Sequence, residues 1–354
     1  MMRAKRIIVG LDVHKEMSYA TLTNDSGCIL ERKKAPSTYD GICTLLDGVP
    51  RGSEIALEAT SSALSIYSQL EAMGYKPHLA NPRKVKVIAE SKLKSDKADS
   101  EALARLLLMN WLPEAYVPDE HIQKFRELTR TRRSFKSMET KCKNSIHAEL
   151  IRNRIVIEKP FTLAGMRELE RLGNWKIDLF LKEMENIRTT IRELDSKIEK
   201  EAQSTKQCGL LMSIPGIGSY SAPPIYPEIG DISRFPSSNK LCVYAGLVPS
   251  TWQSYDTVYH GRITKQGSKL LRWILIECTQ VHMKTAPHST VSNFYRHPVK
   301  GKGKKRATVA AAAKQQLRQL CVGSDVYVFT RSPLVPCFKT CVQDSKSSVD
   351  TTKK

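Results

Sequence analysis

Three short apolar runs at the start of the chain limit the fold more than any other feature. Residues 6–13, 18–23 and 28–35 are separated by only a few residues, among them the turn sequence Asn24-Asp25-Ser26-Gly27. Connections this short join antiparallel strands, so the segment predicts three consecutive strands. The apolar pattern then predicts a helix at 39–46, a strand at 54–60, a helix at 62–73, a strand at 76–81 and a helix at 95–109. The order β-β-β-α-β-α-β-α predicts an α/β domain with a mixed sheet and helices on its faces.

Four acidic residues stand where such a fold would bring them together. The element order is that of an RNase H-like domain, in which the first strand, the end of the fourth strand and the last helix meet at one rim of the sheet. Asp12 lies in the first strand, Glu58 ends the fourth, and Asp96 and Asp99 begin the helix three residues apart, on one face. Their charges repel unless cations lie between them, and oxygen ligands suit Mg²⁺ or Mn²⁺. We predict that these acids are catalytic metal ligands for in-line phosphoryl transfer.

Each acid taken alone also has a structural interpretation. Asp12 could simply end a strand, while Asp96 could cap the helix and Asp99 could favour its dipole. Glu58 is harder to explain in this way, because a charge that follows Ile55, Ala56 and Leu57 costs free energy unless it is paired.

The middle of the chain predicts a helical arm. Residues 121–207 are rich in Lys, Arg, Glu and Leu, with interruptions at Pro160, Gly165 and Gly173. A stripe of apolar residues recurs there every three or four positions: Ile177, Leu181, Met184, Ile187, Ile191, Leu194 and Ile198. This stripe predicts a helical hairpin or coiled coil that joins two domains and contributes to a homodimer or homotetramer, with a plain helical bundle as the alternative.

The last third of the chain predicts a mainly α-helical domain with a helix-hairpin-helix-like motif. In SIPGIGSYSA, Gly216 and Gly218 would allow a tight turn and present amide groups to a phosphate. Pro223 and Pro224 fall where the second helix of that motif should run, which argues against it. A helix-poor stretch follows, and then a basic helix at 267–281.

These patterns predict four parts of the chain. Beyond residue 319 the sequence becomes polar and rich in turn residues, which is typical of a flexible tail. The predicted parts are an RNase H-like catalytic domain at 1–115, the helical arm at 116–207, the second domain at 208–320 and the tail at 321–354.

Charge indicates a nucleic-acid partner. The 354 residues carry a net charge of +20, and a polyanion gains affinity for such a surface by releasing counterions. A solvated basic surface is the alternative. We predict that the following residues contact phosphates without reading sequence: Arg130, Arg132, Arg133, Gly216, Gly218, Arg262, Lys265, Lys269, Arg272, Lys304, Lys305 and Arg306.

Two further features indicate the compartment. No run of 18 or more apolar residues is present, so we expect no membrane span. The nine cysteines form no C-x-x-C pair, which favours free thiols in a reducing cytoplasm.

Taken together, the motifs resemble the IS110 family of insertion-sequence transposases. The resemblance runs from residue 7 to 317 and is carried by the order of GLDVHKE, ALEAT, NPRKVKVIAESKLKSDKADSEALARLL, SIPGIGSYSA, EIGDISRFPSSNKLCVYAGLVPS and HGRITKQGSKLLRW. It implies a RuvC-like domain whose DEDD acids correspond to Asp12, Glu58, Asp96 and Asp99, and a second domain with a serine nucleophile. That serine corresponds to Ser254, with Ser250 as the local alternative.

The resemblance also implies the reaction and its partners. It implies a prokaryotic, nucleoid-associated recombinase that excises and inserts its own element, with a structured guide RNA that pairs with donor and target DNA. Two other functions stay open on the residues alone. One is a junction resolvase or nuclease with the same acids and no covalent step, and the other is a non-catalytic nucleic-acid-binding scaffold.

Overall fold

A computed structural model describes residues 6–60, 62–88, 96–254 and 257–323. The chain divides into two compact units, Met1–Val117 and Pro118–Lys354, which we call unit 1 and unit 2. The predicted boundaries within unit 2, between the arm and the second domain at residue 207 and between that domain and the tail at residue 320, stay a proposal. Most of the predicted tail, from residue 324 on, lies outside the described residues.

Unit 1 contains the predicted mixed sheet. Its strands are β1 (Ile8–Val13), β2 (Met17–Thr23), β3 (Ile29–Pro36), β4 (Glu54–Glu58) and β5 (Lys76–Ala80). Its helices are α1 (Tyr39–Leu45), α2 (Ala63–Ala72), α3 (Pro82–Ile88) and α4 (Asp96–Leu108). The strand order is β3-β2-β1-β4-β5, antiparallel from β3 to β1 and parallel from β1 to β5. The predicted fold class is thereby confirmed.

Alternation along the strands gives the sheet two apolar faces. Val9, Leu11 and Val13 pack with α1 and α2 in one core, whereas Ile8 and Ala56 pack with α4 on the opposite face. Helix α3 was not predicted. It is short, and Pro82 stands at its first position, where a missing N–H costs nothing.

Unit 2 is mainly helical among its described residues. Its helices are α5 (Glu120–Arg152), α6 (Leu163–Arg171), α7 (Trp175–Ser204), α8 (Lys206–Met212), α9 (Ala222–Ile229), α10 (Ser238–Tyr244), α11 (Lys269–Thr285), α12 (Thr290–Lys302) and α13 (Lys304–Gly323). A 3₁₀ turn spans Ile232–Arg234, and a two-stranded hairpin joins β6 (Pro249–Ser254) to β7 (Thr257–Ile263). In the part of the chain that the structure describes, none of the helices has an apolar span of the length that a bilayer requires.

The predicted helical hairpin is confirmed. Three ion pairs join α5 to α7 in antiparallel register: Arg132 with Asp195, Glu139 with Arg188, and Glu149 with Lys176. The predicted stripe of α7 is buried except at Leu194, and much of it packs against α5. Burial of this stripe therefore holds the hairpin together.

The prediction of a helix-poor stretch after SIPGIGSYSA is wrong, because α9 lies in that stretch and α10 begins in it. The two prolines that argued against a second helix occupy the first turn of α9, where proline is tolerated. Helices of seven and eight residues are too short for a clear 3.6-residue period.

Candidate metal centre and nucleic-acid surfaces

Strand register brings Asp12 and Glu58 to neighbouring positions. The parallel strands β1 and β4 pair Leu11 with Leu57, so each acid stands one residue beyond the same pair. Because side chains alternate along a strand, Asp12 shares the face of Ile8, and Glu58 shares the face of Ala56. That is the face covered by α4.

Gly10 allows α4 to approach that face closely. A Cβ at Gly10 would lie 1.9 Å from the Ser100 carbonyl oxygen and 2.6 Å from the Ala104 nitrogen. The hydroxyls of Ser100 and Thr21 are hydrogen-bonded at 2.8 Å, which ties α4 to β2. The first turn of α4, with Asp96 and Asp99, is held in this way near the end of β1.

Asp12 has an unusual environment for a carboxylate. It is only 3 % exposed, and its Oδ2 makes no hydrogen bond. His14 Nε2 lies 3.1 Å from this Oδ2 without hydrogen-bonding geometry, and it donates to Asp96 Oδ1, also at 3.1 Å. One ligand atom each from Asp12, His14 and Asp96 lies within 4.8 Å of the others.

The electrostatics of Asp12 reflect all four acids. The pKa of Asp12 is raised to about 6: burial is the largest cause, the charge of His14 lowers the pKa, and the charges of Asp99, Glu58 and Asp96 raise it. The predicted acids are therefore electrostatically coupled around one buried carboxylate. A divalent cation fits this donor set, because it would bind the unpartnered oxygen and offset the repulsion.

His14 was missed by the sequence reasoning, which assigned no histidine to the site. The available signal was its position two residues after Asp12, in the turn from β1 to β2. His14 lies just past the end of β1, however, so the alternation of side chains along the strand does not by itself place its ring beside Asp12.

The two candidate serines occupy different positions in the β6–β7 hairpin of unit 2. Ser254 is exposed and ends β6 opposite Thr257, while residues 255 and 256 lie outside the described residues. Ser250 donates its hydroxyl to the Arg262 carbonyl at 3.1 Å, and a Cβ at Gly261 would lie 2.4 Å from Ser250 Oγ. The Ser250 hydroxyl thus forms a hydrogen bond between the two strands of the hairpin, whereas Ser254 is the last residue of β6.

Two of the predicted phosphate ligands on α5 hold unit 2 together. Arg130 binds the buried carboxylate of Glu228 through two hydrogen bonds, of 2.6 and 3.1 Å. Arg132 binds Asp195 in the same two-point manner and donates to the Tyr220 hydroxyl at 2.8 Å. Their guanidinium groups are directed to protein acceptors, so a structural role accounts for both.

Arg133 is exposed and lies over the ring of Trp273, 4.1 Å from its centroid. Both residues line a groove of about 790 Å³ within unit 2, together with Lys136, Tyr220 and Met212. The groove combines cationic and aromatic groups, which are the groups that bind unpaired nucleotides.

The glycines of the predicted phosphate turn also have structural roles. Gly216 has φ of +89°, and a Cβ there would lie 2.5 Å from the Cys278 carbonyl, so the turn packs directly on α11. The Gly218 amide donates to Ser221 Oγ at 2.9 Å. These contacts explain both the tight turn and the glycine at position 216.

The other predicted phosphate ligands are mostly exposed. Arg272 is half-buried and donates to the carbonyls of Ala245 and Lys265, which indicates a structural contribution. The exposed ones are Arg262 on β7, Lys265, Lys269 at the start of α11, and Lys304, Lys305 and Arg306 at the start of α13.

Comparison with known families agrees with this architecture. Residues 9–152 match the DEDD_Tnp_IS110 family, described as a transposase. Residues 208–296 match the family described as Transposase IS116/IS110/IS902 family. The sheet, the acid cluster and the first match together define unit 1 as a RuvC-like DEDD domain.

Similar proteins include two transposases of insertion sequences and a pilin gene-inverting protein. The transposase for insertion sequence element IS1111A of Coxiella burnetii is 24% identical over 328 residues, which cover 87% of this chain and 86% of the relative. The transposase for IS1328 of Yersinia enterocolitica is 24% identical over 65% of this chain and 71% of its own. A pilin gene-inverting protein of Moraxella bovis is 31% identical over 41% of this chain and 48% of its own. The chain belongs to the IS110 family of transposases, which cut and rejoin DNA.

Proposed function

We propose that this transposase excises and inserts its element by divalent-ion-dependent cleavage and rejoining of DNA through a covalent serine intermediate. The observation that carries the metal part of the proposal is the buried Asp12 oxygen that accepts no hydrogen bond, with three further acids whose charges raise the pKa of Asp12. Asp12, Glu58, Asp96 and Asp99 would hold Mg²⁺ or Mn²⁺. A cation there would neutralise charge that develops on the phosphate as it is attacked.

Ser254 is the proposed nucleophile. Its Oγ forms a bond to phosphorus while the bond to the leaving deoxyribose oxygen breaks, and the serine proton ends on that leaving oxygen. The phosphoserine ester conserves the bond energy, so a hydroxyl of another strand can displace the serine and restore it. Exposure of Ser254 beside the hairpin tip supports this assignment over Ser250, whose hydroxyl is hydrogen-bonded within the hairpin.

Donor and target DNA and a structured guide RNA are the proposed partners. The net charge of +20 and the exposed basic residues on β7, α11 and α13 support polyanion binding. The groove around Arg133 and Trp273 supports binding of unpaired RNA nucleotides, because aromatic rings stack on bases of any sequence. A homodimer or homotetramer in the nucleoid remains part of this proposal.

An excision assay with the full chain, its element and the flanking non-coding segment tests the metal part of the proposal. Asp12→Asn and Glu58→Gln keep the side-chain size and remove a charged ligand, so we expect excision to fall at least about 100-fold while DNA binding stays close to the wild type. Lys182→Gln, at an exposed position on α7, is the control and should leave excision unchanged. Normal excision by Asp12→Asn would contradict the metal assignment.

Denaturing gels of the reaction test the serine. A protein–DNA adduct that survives denaturation should form with the wild type and with Ser250→Ala, but not with Ser254→Ala. If the adduct forms with Ser254→Ala but not with Ser250→Ala, the nucleophile is Ser250. Metal-dependent cleavage without any adduct would favour the resolvase or nuclease, and no cleavage in any divalent ion would favour the scaffold.

A further inference from the structure

Hydrogen bonds hold the backbone of His14 beside the acids. Its backbone N–H donates to the Met17 carbonyl at 3.1 Å, and its carbonyl accepts from Ser37 Oγ at 2.7 Å. Its ring packs edge-on against Tyr19, with the centroids 6.4 Å apart. In this position Nε2 lies 3.1 Å from Asp12 Oδ2 and 3.1 Å from Asp96 Oδ1.

We propose that His14 Nε2 is a ligand of the divalent ion held by Asp12 and Asp96, which makes the centre a mixed nitrogen–oxygen site. This inference rests on the proposed function of the acid cluster. It adds a ligand of a different chemical type to the carboxylates and changes which ion the site prefers.

The alternative role for His14 is that of a counter-charge. A protonated imidazole between two carboxylates would reduce their repulsion without any metal. However, the single N–H at Nε2 donates to Asp96 Oδ1 and leaves Asp12 Oδ2 without a hydrogen bond, although that oxygen is also 3.1 Å away. A buried, unpartnered carboxylate oxygen costs free energy. A cation that binds Nε2 and both oxygens together satisfies all three atoms, which a proton on Nε2 does not.

A nitrogen ligand changes the expected ion. Mg²⁺ is bound almost entirely by oxygen atoms and retains several waters, whereas imidazole favours first-row transition ions. With His14 in the ligand set, the site should therefore bind Mn²⁺ more tightly than Mg²⁺. For a site made only of carboxylates, we expect a smaller difference between the affinities for Mn²⁺ and Mg²⁺.

Electron paramagnetic resonance of Mn²⁺ bound to the full chain provides a test independent of catalysis. We expect the electron spin-echo modulation of wild-type protein to contain the ¹⁴N coupling of a coordinated imidazole, and the coupling to change to that of ¹⁵N when histidine is ¹⁵N-labelled. His14→Gln should abolish the coupling, weaken Mn²⁺ binding about tenfold or more, and lower the Mg²⁺ excess needed to displace Mn²⁺. His288→Gln, at an exposed histidine in unit 2, is the matched control and should behave as wild type.

The outcomes separate this inference from the proposed function. If Mn²⁺ binding requires Asp12 but shows no nitrogen coupling, His14 is not a ligand, and the carboxylate site of the proposed function still holds. Nitrogen coupling that persists in His14→Gln would also overturn it, since another histidine would then be the ligand. No Asp12-dependent Mn²⁺ binding at all would overturn both. The labelled wild-type experiment needs no substitution, so a folding defect in a variant does not affect it.

Discussion

Gly10 of β1 lies directly against the backbone of Ser100 in α4, so closely that a Cβ at residue 10 would stand 1.9 Å from the Ser100 carbonyl oxygen. The contact is between backbone atoms and cannot be relieved by a side-chain rotation. It sets the distance between the strand that carries Asp12 and the helix that carries Asp96 and Asp99. A residue with no functional group therefore determines the geometry of the acid cluster.

Gly10→Ala should displace α4 and weaken metal binding although every ligand is still present. We expect a loss of about 2 to 3 kcal/mol in the free energy of unfolding of unit 1, because the added methyl overpacks a backbone contact. Urea unfolding and Mn²⁺ titration of the same samples would measure both effects. The matched control is Gly209→Ala in α8, where nothing lies within 4 Å of the added Cβ and the helix should gain about 0.5 to 1 kcal/mol. Unchanged Mn²⁺ affinity in Gly10→Ala would contradict this view of α4.

Arg130 should be required for stability rather than for contact with phosphate. Its partner Glu228 is 0 % exposed, and Arg130→Ala would leave that carboxylate buried and unpaired. The expected loss is about 3 kcal/mol in the free energy of unfolding of unit 2. Thermal and urea unfolding would measure it, and Glu228→Gln in the same background should recover part of the loss.

Arg133→Ala, on the same helix, is the comparison for Arg130→Ala. It removes an exposed cation from the Trp273 ring, so we expect a loss of only about 1 kcal/mol or less. If Arg130→Ala unfolded like the wild type and bound DNA more weakly, Arg130 would contact phosphate, as the sequence predicts, and the structural role would be wrong.

The fold of unit 1 could be predicted because its signals are local. Short connections and period-two alternation specify strands without knowledge of distant residues, and the order of elements then limits the topology. Around α9 the same reasoning was wrong, because Pro223 and Pro224 were counted as helix breakers. Their effect depends on where the helix begins, and that position depends on packing against the rest of unit 2.

For the candidate metal centre, the sequence predicted which acidic residues lie near one another, but it did not predict the individual side-chain contacts. The proximity of the four acids could be predicted, because the fold class brings the strand ends and the start of the last helix to one rim of the sheet, while their metal-binding role stays a prediction. The proximity of His14 to Asp12 and Asp96 was not predicted, because it depends on contacts of His14 with Ser37, Met17 and Tyr19 that the sequence pattern does not show. Likewise, an arginine that binds phosphate and an arginine that binds a buried carboxylate have the same sequence signal, as Arg130 illustrates.

Glu139 on α5 should make the stability of unit 2 depend on pH in the acid range. Burial acts to raise its pKa, but hydrogen bonds from Lys136 and Lys143 outweigh burial and lower the pKa to about 2. A folded-state pKa below the unfolded value of about 4.5 means that the stabilisation is complete above that pH and is lost as pH falls toward 2. We expect Glu139→Gln to cost about 2 kcal/mol at pH 7, with the difference from wild type shrinking between pH 5 and pH 2.5 or so. Urea unfolding of both proteins across that range measures it.

The control for Glu139→Gln is Glu120→Gln, on the same helix. Glu120 forms an exposed pair with Lys124 at 2.5 Å, and exposed pairs contribute little because water screens them. Its substitution should therefore have a small effect at every pH. A Glu139→Gln difference that stayed constant from pH 7 to pH 3 would show that the ionised carboxylate is not the source of the stabilisation.

The basic start of α13 should bind DNA phosphates, and salt dependence can separate that role from a general effect of charge. Lys304, Lys305 and Arg306 are exposed there, and changing all three to glutamine should weaken DNA binding similarly for every sequence. The slope of log K against log salt should fall in magnitude by up to about 0.9 for each contact removed, as titrations at several salt concentrations would measure. A triple substitution of Lys182, Lys197 and Lys200 on α7, all exposed, removes the same charge from the arm and should change the slope far less. If the salt slope changed equally in the two triple variants, net charge rather than contact at α13 would govern DNA binding. The long-range field of the protein depends on its total charge and does not distinguish one lysine cluster from another.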